Sequence, residues 1–230
     1  MATRSKNMAL VASNEREGSG RVAAYEQIKD AILAGVLRPL ERITEEGVAD
    51  RLGLSRTPVR EAFGFLASEG LIVIVPKRGS FVSQLTVGDI LEIYQIRMPL
   101  ECMAAGIAAE VLSDAQLDEL EHLVRVERER GKARSPQDSL AASAQFHDTI
   151  IGCIHNKRLS ALLKQMQGQV HRARALWPST ISRLSDTWEE HEALLKALRA
   201  RDANASERLM REHLERAQTV TLSGMMPKRR

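Results

Sequence analysis

Aromatic residues are scarce: four Phe, two Trp and two Tyr make 3% of the 230 residues. A platform that binds single-stranded nucleic acid by ring stacking is therefore not expected. Only two cysteines occur, Cys102 and Cys153, far apart and in no C-x-x-C pair. Both fall in apolar helical patterns, which reads as two reduced core thiols in a cytosolic protein. The longest apolar run, Leu71-Ile72-Val73-Ile74-Val75, has the length of a strand, and no membrane span is expected. At the N-terminus, Met8 to Ala12 is too short for a signal-peptide core, and charges follow closely. Gly 14 and Pro 7 are too few for collagen-like or low-complexity chains. Lys+Arg exceeds Asp+Glu by 33 − 30 = +3, so placement of charge, not its sum, has to reveal any polyanionic partner. No G-x-S-x-G, P-loop or G-x-G-x-x-G occurs. His191-Glu192 begins like H-E-x-x-H but ends in Leu195, and Glu119-x-x-His122 is a single copy of a pattern that needs two. No catalytic constellation stands behind an enzyme reading.

Apolar residues at 43% and charged residues at 27% do allow a buried core. The length suits one large domain or two small ones. Residues 1–20 read as a mobile arm. Helical spacing then starts near Arg21, with Tyr25, Ile28 and Ile32 on one face and Gly35 as a C-cap. Thr44 can cap a short helix carrying Val48, Ala49 and Leu52. Gly53 turns the chain, and Ser55 caps a second helix that buries Val59, Ala62, Phe63 and Leu66. Pro58 is tolerated in the first turn of that helix, where its amide has no helical partner. Leu71–Val75 and Ser80–Val82 flank Pro76-Lys77-Arg78-Gly79 as a hairpin with a basic tip. Two helices, a tight turn and such a hairpin describe a winged helix-turn-helix over 21–83. From Thr86 only helical periods appear. Ser113 with Gln116 forms a capping box, a polar break covers Gly131–Gln137, and Asn156 can end a helix. A further helix runs to Trp177, and the last two cover about 182–201 and 203–221. The fold class expected is mainly α, with an antiparallel all-helical bundle of about six helices over 84–222. The basic end, 223–230, reads as a solvated tail.

Arg56 and Arg60 are four apart and share a helix face opposite Val59, Ala62 and Phe63. A cation at a helix N-terminus is unfavourable unless an anion comes to it, and the free amides there attract phosphate. The segment that runs from Arg42-Ile43-Thr44-Glu45 through Val48-Ala49-Asp50-Arg51-Leu52-Gly53-Leu54-Ser55-Arg56-Thr57-Pro58-Val59-Arg60-Glu61-Ala62, with Glu69-Gly70-Leu71 and Arg78-Gly79-Ser80-Phe81-Val82, resembles the DNA-binding domain of GntR-type bacterial transcription regulators. The resemblance places the helix starting at Ser55 in the major groove and the hairpin tip in the minor groove. It assigns DNA contact to Arg56, Thr57, Arg60, Lys77, Arg78 and Gly79. One departure stands out: many relatives carry Arg where this chain has Glu46. An acid there repels phosphate, so it either reads a cytosine amino group or stands away from DNA.

Arg97-Met98-Pro99-Leu100-Glu101, Gln145-Phe146-His147, Glu190-His191-Glu192 and His213-Leu214 resemble the FCD subgroup of the family. That resemblance implies an effector-binding, dimerising bundle. In metal-binding members three histidines, here His147, His191 and His213, hold a divalent cation such as Zn, Ni or Mn. An Asp one turn before the first is the fourth ligand. Here that position is Ser143, and Asp148 points about 100° away around the helix. Either the three imidazoles hold a metal completed by water or an effector carboxylate, or the pocket takes its effector without metal. Arg97, Arg172 and Ser143 are the effector-binding candidates, since a guanidinium suits a carboxylate. For Arg97, an ion pair with Glu101 one turn later is the competing reading. The function expected is a cytoplasmic, ligand-responsive regulator, a repressor of palindromic operator DNA acting as a homodimer with a small organic acid as effector. The alternative is an architectural DNA binder with no small ligand.

Overall fold

The computed structural model describes residues 17–130, 136–176 and 184–225. The chain forms two compact units that divide between Leu85 and Thr86. In the first, α1 (Glu17–Leu33), α2 (Glu45–Leu52) and α3 (Arg56–Ser68) pack on a three-stranded antiparallel sheet. The strands β1 (Arg42–Ile43), β2 (Ile72–Val75) and β3 (Gly79–Val82) lie in the order β1-β3-β2, with Val75 opposite Gly79 and Arg42 opposite Phe81. Ile28, Ile32, Val59, Phe63, Leu66 and Val82 are fully buried between them.

Local chemistry sets the ends of α2 as expected. Thr44 Oγ1 accepts from the Gly47 N–H at 3.1 Å, and Gly53 closes the helix at φ 64 with its N–H bonded to Ala49 O. Ser55 occupies the N-cap position of α3 but makes no side-chain cap bond, so the expected cap is positional only. The sheet's hairpin turns on Pro76 and Lys77. Lys77 has φ 63, and the Arg78 N–H donates to Val75 O at 3.0 Å, the geometry of a type II turn.

The second unit consists, among the described residues, of six helices: α4 (Val87–Val111), α5 (Asp114–Arg130), α6 (Pro136–Gly152), α7 (Lys157–Leu176), α8 (Leu184–Arg199) and α9 (Ala203–Met225). The Thr86–Asp89 capping box starts α4, and the Ser113–Gln116 pair starts α5. Ile90, Tyr94, Phe146, Ile150, Leu194 and Leu214 are fully buried in the core.

Three boundaries differ from the sequence reading, and a fourth falls outside the described residues. Helix α1 begins at Glu17, so 17–20 of the expected arm are helical, and the rest of the arm lies outside the described residues. Asn156 does not end α6, which stops at Gly152. Its Oδ1 accepts from the Leu159 N–H at 3.1 Å, so Asn156 caps the start of α7. Helix α7 is described to Leu176, and the expected stop at Trp177-Pro178 lies beyond the described residues. Helix α9 continues to Met225, which makes the first residues of the expected tail helical, while 226–230 are outside the description.

Candidate DNA interface and buried histidine cluster

In the first unit, Arg56, Thr57 and Arg60 all lie on the exposed face of α3, opposite the buried Val59, Ala62 and Phe63. Lys77 and Arg78 are exposed at the hairpin tip. Gly79 sits at φ 109, and a Cβ there would stand 3.1 Å from Arg42 Nε. The positive φ calls for glycine, and the Arg42 guanidinium rests close over it. Arg42 itself is exposed, and its charge joins those of Lys77 and Arg78. Arg42 opens the segment that carries the family resemblance but is not among the expected DNA contacts, because only the pairing of β1 with β3 brings it to the tip. Glu46, in the first turn of α2, forms an ion pair with Arg56.

In the second unit, His147 on α6, His191 on α8 and His213 on α9 converge. Each is 3% exposed or less, and each offers a ring nitrogen within 4.8 Å of the others'. His147 Nε2 faces His213 Nε2 at 3.2 Å. The opposite nitrogens meet carboxylates: His147 Nδ1 lies 3.0 Å from Glu101 Oε2, and His213 Nδ1 lies 2.7 Å from Glu190 Oε2. His191 stacks on Phe146 with ring centres 4.1 Å apart, and the Trp188 ring meets it edge-on at 4.9 Å. With Glu190 accepting from it, His213 carries its proton on Nδ1 and turns its Nε2 lone pair toward His147, whose Nδ1 side faces Glu101. At 3.2 Å the two Nε2 atoms either share a proton or face a cation between them, since two bare lone pairs would repel. The donor set therefore fits a divalent metal, since three nitrogens this close need small movements to reach bonds of about 2 Å.

Ser143, one turn before His147, is 1% exposed, and its Oγ has no hydrogen-bond partner. Trp188 Nε1 is likewise buried and unpaired. Asp148 is exposed and outside the cluster. Arg97 is engaged: its Nε and one terminal nitrogen both lie 2.6 Å from Glu101 Oε1. It takes the competing ion-pair role, with its guanidinium carbon 5.1 Å from the Tyr94 ring centre. Burial would raise the Glu101 carboxyl, but Arg97 and then His147 overcome this and hold it at about 2. Arg172 is 1% exposed, and burial draws its guanidinium down to about 10, with Asp89 acting in the opposite direction. The spacing pairs Glu101 with Arg97 but gives neither Glu101 nor Glu190 a place behind an imidazole, because that role depends on helix packing, which spacing does not carry.

Comparison with known proteins agrees with both units. Residues 21–82 match the model for "Bacterial regulatory proteins, gntR family", and residues 92–216 match the FCD domain. The HTH-type transcriptional regulator YdhC of Bacillus subtilis is 28% identical over 190 residues, covering 82% of this chain and 85% of its own. The HTH-type transcriptional repressor RspR of Escherichia coli is 28% identical over 191 residues, covering 83% and 84%. The solved structure of E. coli McbR/YncC superposes with a TM-score of 0.75 at 23% identity, covering 89% of this chain and 97% of that one, which shows a shared fold. GntR regulators bind operator DNA, and among the described residues no helix is long and apolar enough to cross a membrane. The chain belongs to the gntR family of bacterial regulatory proteins, joins a winged helix-turn-helix unit to an FCD domain, and is a transcription regulator, not an enzyme.

Proposed function

We propose that the chain is a ligand-responsive repressor that binds palindromic operator DNA as a homodimer in the cytoplasm, and that the histidine cluster is where its effector is sensed. The observation that carries this reading is the pair of Nε2 atoms facing each other at 3.2 Å with a carboxylate behind each ring. A fold with no ligand to bind has no reason to bury three imidazoles and leave Ser143 Oγ and Trp188 Nε1 without partners. His147, His191 and His213 would hold a divalent cation, Zn, Ni or Mn, whose positive charge would anchor a carboxylate of a small organic acid. Ser143 and Trp188 would then donate to that acid, and Arg172 is a further candidate.

In the DNA complex, Arg56, Thr57 and Arg60 would face base edges and phosphates of the major groove. Lys77, Arg78, Gly79 and Arg42 would follow the minor groove. A palindromic operator requires two copies. The solvent face of α4 supports this, because Ile96, Met103 and Val111 there are each more than 40% exposed. An apolar stripe of that kind fits a second copy better than water.

Thermal shift on chelator-treated protein tests the sensing. Zn, Ni or Mn is titrated with and without a panel of mono- and dicarboxylic acids, and DNA binding is then measured with the best pair. Stabilisation by a metal or an acid, with altered DNA affinity, is expected. Metal binding should weaken below about pH 6, where imidazole protonates. No shift with any metal or acid would leave the architectural reading in its place.

A further inference from the structure

We propose that Glu46 is a positioning residue for Arg56, and that it sharpens discrimination between DNA sequences while lowering affinity for DNA in general. This rests on the reading that α3 enters the major groove. Glu46 lies in the first turn of α2, where a carboxylate suits the helix dipole, and Arg56 opens α3, where a cation does not. The two side chains form an ion pair although they are ten residues apart and belong to different helices. Both remain largely exposed, at 68% for Arg56 and 65% for Glu46. A pair in that setting adds little to stability, so holding the fold together does not account for it.

What the pair does change is the arginine. A free Arg loses much rotamer freedom when it docks. Glu46 engages one terminal nitrogen and so orients the guanidinium before DNA arrives. The planar fork has five N–H groups, so with one nitrogen engaged another edge still offers two parallel donors. Guanine O6 and N7 accept two such bonds in the major groove. A phosphate makes no comparable geometric demand, and the same carboxylate repels it whatever the sequence. Glu46 therefore favours base-edge contact over backbone contact at Arg56.

The test starts with a duplex selected from a randomised pool by the full-length wild-type protein. Its affinity, that of its single-base variants and that of a scrambled duplex are measured over a salt series. The proteins are wild type, Glu46→Gln, Arg56→Ala and the double variant. Glu46→Gln keeps the shape and removes the charge, so it should bind the scrambled duplex several-fold more tightly. Its selected-to-scrambled ratio should fall roughly tenfold, concentrated at one base pair. In the Arg56→Ala background, Glu46→Gln should leave the per-base profile unchanged. Equal fold-changes on selected and scrambled duplexes would overturn the proposal, as would a loss of discrimination that persists without Arg56. If Arg56→Ala binds the selected duplex as wild type does, the assignment of α3 fails, and the role of Glu46 fails with it.

Discussion

Replacing Glu101 by Gln should destabilise the second unit by about 3–5 kcal/mol, the usual cost of removing one partner of a buried ion pair. The geometry justifies the upper class of effect. Side-chain exposure is 3% for Arg97 and 1% for Glu101, and two guanidinium nitrogens lie 2.6 Å from the same carboxylate oxygen. The electrostatics of the pair point to an effect of the same order. The Glu101 carboxyl falls from 4.5 to about 2 on folding, which corresponds to about 3 kcal/mol. Because the folded value is the lower one, this stability is fully present above pH 4.5 and is lost as pH falls toward 2. For a chain of this size each kcal/mol moves the midpoint by about 2–4 °C, so Glu101→Gln should lower Tm by about 6–20 °C. Urea unfolding of chelator-treated protein, followed by circular dichroism, is the assay. The double variant Arg97→Met with Glu101→Leu should recover most of the loss, since apolar side chains of similar volume remove both buried charges. A single variant within 1 kcal/mol of wild type, or a double variant no better than the single, would refute the reasoning.

Arg60→Ala should weaken DNA binding without changing Tm, and a phosphate-only contact would lower the salt slope by about one unit for every sequence alike. Fluorescence anisotropy over a salt series reads both. Ser143→Asp should tighten divalent metal binding by adding an anionic oxygen one turn from His147, measured by competition with a chromogenic chelator. Gly79→Ala should cost about 1–3 kcal/mol in the first unit, because an L side chain at φ 109 is strained and its Cβ meets Arg42. Chemical denaturation would show it, and an unchanged midpoint would mean that the hairpin tip adapts freely.

The winged unit was readable almost throughout, because its signals are local. Thr44, Gly53 and the alternation of Val59, Ala62, Phe63 and Leu66 each act within one helical turn. The convergence of His147, His191 and His213 came from resemblance, since the spacing of three histidines on separate helices says nothing of their meeting. That Glu101 and Glu190 stand behind the imidazoles is not readable from the sequence, although the Arg97–Glu101 pair is. Glu190 sits beside His191 in sequence yet serves His213, because adjacent helical residues point about 100° apart. Asn156 was read as an end when it is a beginning. A short polar side chain suits a turn on either side, and only its bond to the Leu159 N–H decides which.

Six polar side chains of the second unit form one continuous run, from the buried Arg97 through Glu101, His147, His213 and Glu190 to Arg216 at the surface. It passes through α4, α6, α9 and α8 in turn. No one of these helices can lift away without breaking a link held by its neighbours, so local opening is tied to opening of the set. Amide exchange should therefore report a single cooperative body. A change made at Glu101 on α4 should speed exchange in α8, to which Glu101 is joined through the two imidazoles between them.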